Sequence, residues 1–139
     1  MRYLVDTNVI SEVGRGERCN PHVAAWYGAV DPDILSLSVL VIGEIRDGIE
    51  RLRPRDPGRA RLLERWLLLV ADLYADRTIA IDRRIADRWG RLNAGVRLPT
   101  ADGLMAATAL VHRLVVVSRN VRDFTAAGVQ VLNPFEPSS

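Results

Sequence analysis

Lysine is absent from this 139-residue sequence, and cysteine, histidine and long apolar runs are scarce. The longest apolar runs, such as Leu67 to Ala71, are far below the ~18 residues of a membrane span, and the N-terminal stretch lacks the apolar core of a signal peptide. The single cysteine, Cys19, cannot form an internal disulfide, which agrees with a reducing compartment. We therefore expect a cytoplasmic protein that does not contact a membrane.

The scarcity of lysine and histidine also bears on the chemistry that the chain can perform. Cleavage of RNA without a metal usually needs positioned histidine or lysine side chains as acid and base. His22 and His112 fall in two separate helical patterns, where we expect structural or exposed roles. A metal-dependent route is therefore favoured for any phosphodiester chemistry.

Arginine supplies all 19 basic side chains, and the formal net charge is +2. The planar guanidinium group binds phosphate bidentately, so the composition weakly favours phosphate-rich partners, although codon bias explains it equally well. Trp26, Trp66 and Trp89 each lie in a helical pattern, and we expect core or interface positions for them rather than base stacking.

Apolar residues make up 48% and charged residues 26% of the chain, as in one globular domain, here residues 1–139. Strand-like apolar runs span Tyr3 to Val5, Ile34 to Leu37, Thr78 to Ile81, Leu114 to Val117 and Val129 to Leu132. Helical patterns run from Asn20 to Val30, Ser38 to Leu52, Gly58 to Tyr74, Asp82 to Leu92 and Thr100 to His112. This alternation predicts an α/β fold with a mainly parallel sheet of four to five strands and helices on both faces.

Four acidic residues fall near the carboxyl ends of the predicted strands, where parallel sheets bind their ligands. Asp6 follows the first strand, Glu44 lies in the second turn of the next long helix, Asp102 lies in the first turn behind a Thr100 cap, and Asp123 follows the strand that ends at Val117. Each also has an ordinary explanation: a helix cap for Asp6, a helix-dipole effect for Asp102, an amphipathic flank for Glu44 and a loop acid for Asp123.

The ordinary explanations fail together if the four acids converge. Two carboxylates ~4 Å apart repel by roughly 4 kcal/mol at an effective dielectric constant of 20, so such a cluster holds protons or binds a cation. Oxygen-only ligands select Mg²⁺ or Mn²⁺ over zinc. A metal of this kind can activate water for in-line attack on a phosphodiester.

Several stretches, taken in order, resemble a PIN-domain ribonuclease of the VapC toxin type. They are "LVDTNVIS" from Leu4 to Ser11, Glu44 within a helix, "TADGLMAATA" from Thr100 to Ala109, "SRNVRDF" from Ser118 to Phe124 and "LNPF" from Leu132 to Phe135. The resemblance covers nearly the whole chain and implies a three-layer α/β/α PIN-like fold. It also implies the toxin of a type II toxin-antitoxin pair, which cuts RNA to leave a 5′-phosphate and a 3′-hydroxyl and is blocked by a VapB-type antitoxin protein. A homodimer and a larger toxin-antitoxin hetero-oligomer are expected.

The resemblance also assigns roles to individual residues. Asp6, Glu44 and Asp102 would surround Mg²⁺, with Mn²⁺ as a substitute, and Asp6 and Asp102 would be the most direct ligands. The family often places a fourth acid where this chain has Asn120. Either Asn120, through its carbonyl oxygen, or Asp123, one helical turn later, would serve that position, with a slight preference for Asp123.

Three other functions are compatible with an aspartate at the end of a first strand. A haloacid-dehalogenase-type phosphotransferase has a second acid two residues later, where this chain has Asn8, and a receiver domain needs a lysine. A non-catalytic PIN-fold module that acts through partner binding is the stronger rival. The presence of three mutually repelling acids argues against it, and titration with Mn²⁺ would discriminate the two.

Overall fold

A five-stranded parallel sheet forms the centre of the computed structural model, which describes residues 1–137. The strands are β1 (Tyr3–Val5), β2 (Leu35–Ser38), β3 (Thr78–Ile79), β4 (Val115–Val117) and β5 (Val131–Leu132). Their order is β3-β2-β1-β4-β5, so β1 is the central strand. Tyr3 lies opposite Leu35 on one side and Val115 on the other, and all four pairings are parallel.

Seven α-helices connect these strands within the described residues. They are α1 (Thr7–Val13), α2 (Pro21–Ala29), α3 (Val39–Leu52), α4 (Pro57–Leu73), α5 (Arg83–Gly95), α6 (Thr100–His112) and α7 (Val121–Ala126), with 3₁₀ turns at Gly16–Arg18, Pro32–Ile34 and Ala75–Arg77. From the central strand β1, the chain moves to β2 and β3 on one side of the sheet, and it later returns to β4 and β5 on the other side. Connections between parallel strands are right-handed. The two sets of helices therefore cover opposite faces, which gives the predicted three-layer α/β/α architecture.

Side-chain caps explain why most helices begin where the sequence predicts. Asn20 Oδ1 accepts hydrogen bonds from the backbone N–H groups of His22 and Val23, and Pro21 occupies the first turn. Ser38 and Asp82 cap α3 and α5 in the same way. Each cap satisfies a backbone donor that the first helical turn would otherwise leave unpaired.

Several local predictions differ from the structure. The cap of α6 is Pro99 rather than Thr100, and it makes no side-chain hydrogen bond because proline has no polar group to offer. Ile34 ends a 3₁₀ turn instead of beginning β2, and β3 ends at Ile79 because its pairing with β2 ends at Ser38. Asp123, which the sequence suggests is a loop residue, lies in the first turn of the short helix α7.

The core lies between the sheet and the two helical layers. Leu4, Val5, Leu37, Val116 and Val117 from the three central strands are fully buried. Helical residues pack over them from both faces, among them Val9, Val41, Met105 and Ala106. No helix among residues 1–137 combines the length and the apolar character that crossing a bilayer requires.

The sheet also fixes where a ligand can bind. The connections reverse direction between β1 and β4, and we call this place the switch point of the sheet. A crevice opens there beyond the carboxyl ends of these two neighbouring strands. Asp6 follows β1 and Ser118 follows β4, and both side chains enter this crevice.

Candidate functional site

Asp6 is held at the switch point by hydrogen bonds from three residues. Its Oδ2 accepts one from the Ser118 hydroxyl at 2.7 Å and one from Asn8 Nδ2 at 3.3 Å, and its Oδ1 accepts one from the Thr7 backbone N–H at 2.8 Å. Only 6% of Asp6 is exposed. The residue is also the N-cap of α1, so the capping explanation and a ligand role are compatible.

The environment of Asp6 has opposing effects on its pKa. Burial raises the pKa of the carboxyl group, because the charged form loses hydration, and the hydrogen bonds from Ser118 and Thr7 lower it. The burial effect is larger, so the net shift is upward. A buried carboxylate of this kind is stabilised when a cation replaces the lost hydration.

Glu44 reaches the same region from the helix that follows β2. It is exposed on α3, and its Oε1 accepts a hydrogen bond of 2.6 Å from the Thr7 hydroxyl. Thr7 therefore connects the start of α1, directly after Asp6, to a carboxylate 37 residues away. Glu44 faces the crevice from its open side.

Asp102 is the residue on which the charges of the other three acids act together. It is half-buried in the first turn of α6, and its pKa is raised to about 6, first by burial and then by the negative charges of Asp6, Glu44 and Asp123. Repulsion from all three means that the fold brings four acids from separate parts of the chain into one electrostatic field. In the described chain, none of the four forms an ion pair with an arginine.

The side-chain chemistry of this site fits a hard divalent cation. All the donors are oxygen atoms, and the side-chain charges that shift the pKa of Asp102 are all negative. Across residues 1–137, however, no three acidic, histidine or cysteine side chains stand in a ready-made metal cage. The charges of the acids act on one another, but their side chains would have to move to close around an ion.

Asn120 and Asp123 occupy adjacent places on the β4 side. The Asn120 side-chain Nδ2 donates to Asp123 Oδ2 at 3.2 Å, and its backbone N–H donates to the Ser118 hydroxyl oxygen at 2.9 Å. Asn120 thus braces Asp123, whose charge acts on Asp102. Asn120 and Asp123 are therefore both held on the β4 side of the site.

Sequence reasoning gave no role to three polar residues that organise the site: Thr7, Asn8 and Ser118. Asn8 Nδ2 donates to Asp6 and to the Ser118 hydroxyl oxygen, and its Oδ1 accepts from the Arg119 N–H. Ser118 is fully buried. Its position directly after a buried strand was the available signal, but its contact with Asp6 depends on the pairing of β1 with β4, which the sequence pattern does not show.

Within the described residues, no histidine or tryptophan side chain takes part in the hydrogen bonds of the acids. His22 and His112 are exposed, at the start of α2 and the end of α6. The tryptophans are half-buried: Trp26 packs edge-on against Tyr3, Trp66 lies against Gly14, and Trp89 lies against Gly103.

A groove of about 700 Å³ adjoins the acids between α1, α3 and α4, and we call it the α4 groove. Thr7 and Glu44 form its end nearest the site, and its walls are mainly apolar, with Ile45, Ile49, Leu62, Leu63 and Trp66. Gly48 lines the groove one turn after Glu44, with open space where a side chain would lie. Arg15, Arg18 and Arg59 add positive charge at its border.

Fold and site together define an α/β protein with an acidic, oxygen-only site at the switch point of a parallel sheet. The chain belongs to the PIN domain family, whose model matches residues 3–129.

Curated relatives align over almost their full lengths. The chain is 36% identical to the plasmid stability protein StbB of Pseudomonas syringae pv. tomato, over 96% of this chain and 98% of that protein. It is 34% identical to the VapC ribonuclease Y4jK of Sinorhizobium fredii, over 97% and 99% of the two chains. It is also 34% identical to the toxin FitB of Neisseria gonorrhoeae, over 95% and 97%.

Solved structures show the same fold. FitAB bound to an IR36 DNA fragment contains a chain that superposes with a TM-score of 0.87 at 30% identity, covering 99% of this chain and 98% of that one. A toxin-antitoxin complex from Klebsiella pneumoniae contains another, with a TM-score of 0.73 at 26% identity and coverage of 96% and 98%.

Proposed function

We propose that this chain is the toxin of a type II toxin-antitoxin pair and acts as a Mg²⁺-dependent endoribonuclease. The observation that supports the proposal is the place of Asp6 at the switch point of a PIN-domain sheet, held by Ser118, with Glu44 hydrogen-bonded to the adjacent Thr7. The pKa of Asp102, raised by burial and by the charges of Asp6, Glu44 and Asp123, agrees with it. Relatives named as a VapC ribonuclease and a toxin, both 34% identical, support the reaction and the biological role.

In this proposal, Asp6 and Asp102 hold the metal, Mg²⁺ or its substitute Mn²⁺, and Glu44 completes the acidic shell. A bound Mg²⁺ supplies positive charge for the phosphate oxygens and lowers the pKa of a water ligand. Ser118, Asn8 and the Thr7 N–H fix the orientation of Asp6, so this ligand is in place before substrate arrives.

The remaining residues position the water and the RNA. Thr7 holds Glu44 at the open side of the crevice, where its carboxylate orients the attacking water or accepts its proton. Asp123, braced by Asn120, does the same from the β4 side. The attack is in line on an RNA phosphodiester and leaves a 5′-phosphate and a 3′-hydroxyl.

The partner in this proposal is a VapB-type antitoxin protein, and the α4 groove is the surface on which we place it. The groove is continuous with Thr7 and Glu44, so a segment lying in it would obstruct the acids. Leu62, Leu69 and Leu73 are more than half exposed along α4, which is unusual for a surface without a partner. A toxin homodimer within a larger toxin-antitoxin assembly completes the proposal, in keeping with the toxin-antitoxin complex among the structural neighbours.

The central experiment is an RNA cleavage assay with protein freed of antitoxin. We expect cleavage with Mg²⁺ or Mn²⁺ and none with chelator, and loss of cleavage in Asp6→Ala and Asp102→Ala. Asp47→Asn is the control and should keep full activity, because Asp47 is an exposed acid on α3, paired with Arg51. Full activity in Asp6→Ala or Asp102→Ala would refute the assignment.

Calorimetric titration with Mn²⁺ separates the proposed enzyme from a non-catalytic binding module. The enzyme should bind the ion with an affinity that Asp102→Asn lowers strongly and Asp47→Asn leaves unchanged. Absence of binding by the unsubstituted chain would favour the module.

A further inference from the structure

A second charged surface lies on the helical layer formed by α5 and α6, and it includes the carboxyl end of α6, opposite the first turn that carries Asp102. Arg84, Arg88 and Arg91 follow one another at four- and three-residue spacing on α5, so they share a face of the helix. Together with Arg113, just after α6, they border a depression of about 550 Å³. We call these four residues the α5 arginine cluster.

The cluster carries charge that the protein does not neutralise. Asp87 is the only acid lining the depression, and it accepts a hydrogen bond of 3.0 Å from Arg91 Nε. Arg84, Arg88 and Arg113 are exposed and form no ion pair with any residue from 1 to 137. By contrast, Arg46 on α3 and Arg53 just after it each form ion pairs with both Glu50 and Glu64.

Arg113 occupies a backbone position that favours glycine. Its φ of 56° and ψ of 49° place it in the left-handed region, at the C-cap of α6, and it is the one non-glycine residue with positive φ in the described chain. Helices often end with glycine in this conformation, since other residues are strained there. The positive charge at this point interacts favourably with the carboxyl end of α6, and its side chain borders the same depression as the α5 arginines.

The distances within the cluster limit the ligands that it can bind. Arg84 and Arg91 lie about 10 Å apart along the helix axis, too far to share one phosphate but suited to separate phosphates of a nucleic acid. Arg113 lies about 16 Å along α6 from Asp102. A symmetric contact with a second copy of the chain would oppose arginine to arginine and is disfavoured.

We propose that the α5 arginine cluster is an auxiliary binding surface for RNA phosphates outside the cleaved segment. This inference rests on the proposed ribonuclease function, because it supplies that function with a contact to long or folded RNA. Guanidinium groups bind phosphate oxygens bidentately, and an RNA that contacts both Arg113 and Asp102 must extend along the length of α6. The cluster thereby selects for RNA size and shape.

The test compares two variants that lose the same charge. The cluster variant combines Arg84→Gln, Arg88→Gln and Arg113→Gly, and the control combines Arg55→Gln, Arg61→Gln and Arg65→Gln, three exposed arginines on the α4 side. Binding of bulk transfer RNA, used as a folded RNA probe, is measured in chelator across a salt series. Loss of three phosphate contacts should make the plot of log affinity against log salt concentration shallower by about 2. The ratio of the affinity of the unsubstituted chain to that of the cluster variant should therefore fall roughly 20-fold between about 50 and 200 mM salt.

The control variant should bind the same RNA nearly as the unsubstituted chain does. Equal losses of RNA affinity in the two variants would mean that net charge alone explains the effect, and this would overturn the inference. A double-stranded DNA probe tests the other class of polyanion: if the cluster variant loses DNA binding as strongly as RNA binding, the surface is not specific to the proposed substrate and the inference also fails.

Arg113→Gly alone separates binding from folding. We expect equal or higher thermal stability, because glycine accepts the left-handed conformation, together with weaker transfer RNA binding. Cleavage of a short single-stranded oligonucleotide should be unchanged, because it does not span both surfaces. RNA binding that depends on the cluster without any cleavage would refute the proposed function alone, whereas cleavage with binding independent of the cluster would refute this inference alone.

Discussion

Ser118 is a buried hydroxyl that determines the state of a catalytic candidate. Its hydrogen bond to Asp6 Oδ2 lowers the pKa of that carboxyl against the opposing effect of burial. It also accepts hydrogen bonds from Asn8 and from the Asn120 N–H. The Ser118 hydroxyl oxygen therefore forms hydrogen bonds with Asp6 and Asn8, which follow β1, and with Asn120, which follows β4.

We predict that Ser118→Ala lowers RNA cleavage by about ten- to a hundredfold without loss of the fold. A hydrogen bond to a charged group contributes about 1.5–3 kcal/mol, and each 1.36 kcal/mol corresponds to a tenfold rate change. Initial rates at saturating Mg²⁺ measure the effect. Thr125→Ala, an exposed hydroxyl on α7, is the control and should retain the full rate.

Asp102 should make the metal-free protein less stable at neutral pH. The pKa of Asp102 is about 6 in the fold and 3.8 as its ordinary value. As pH falls through 6, Asp102 takes up a proton in the folded state, whereas in the unfolded chain it does so only near pH 3.8. Above pH 6 the charged carboxylate therefore destabilises the fold, and this cost decreases as pH falls from 6 to 3.8.

We therefore predict that Asp102→Asn raises the melting temperature in chelator above pH 6 and that the gain fades toward pH 3.8. Thermal unfolding across this range measures it. Saturating Mn²⁺ should reverse the order, because the unsubstituted chain then gains from binding. A variant less stable than the parent in chelator above pH 6 would contradict the electrostatic argument.

At the scale of elements, the packing of α5 on α6 places Asp102. Gly103, next to Asp102, is fully covered by Trp89: a Cβ at this position would lie 2.8 Å from Trp89 Nε1. The same indole nitrogen is buried without a hydrogen-bond partner within the described chain. The two helices therefore approach closely at the turn that carries Asp102, and only glycine permits it.

We predict that Gly103→Ala destabilises the protein by about 1–3 kcal/mol, the usual effect of overpacking, and lowers cleavage by displacing Asp102. Gly90→Ala in the middle of α5 is the matched control. A Cβ there meets nothing within 4 Å, so the change should stabilise the protein by roughly 0.5–1 kcal/mol. Denaturant unfolding compares the two, and equal effects would refute the close-packing argument.

At the scale of the whole molecule, α4 has one face in the core and another in solvent. Leu67 is 3% exposed, whereas Leu69, two residues later, is 68% exposed. Leu67→Ala should destabilise the free chain by about 2–5 kcal/mol, and Leu69→Ala should change its stability by less than about 0.5 kcal/mol. If Leu69 belongs to the antitoxin surface, only Leu69→Ala should weaken antitoxin binding without weakening the fold, as measured by calorimetry with the purified antitoxin.

The sequence predicts the positions of the strands and helices better than the order of the strands in the sheet. Periodicity is a local signal, so it places β1 at Tyr3–Val5 and α6 at Thr100–His112 as the structure has them. It does not contain the strand order, and the contacts of Ser118 and Asn8 with Asp6 follow from that order. Helix α7 was missed because its six residues are too few to show a helical period.

The central position of β1 has a consequence for synthesis of the protein. Asp6 and Ser118 are separated by 112 positions, and β1 lacks one of its two neighbours until β4 has been translated. Such long-range parallel pairing forms slowly, because the intervening chain must be closed into a loop first. The acidic site is therefore incomplete on a nascent chain that ends before Ser118. Under the proposed function, the ribosome is exposed to a competent nuclease only when translation of this chain is nearly complete.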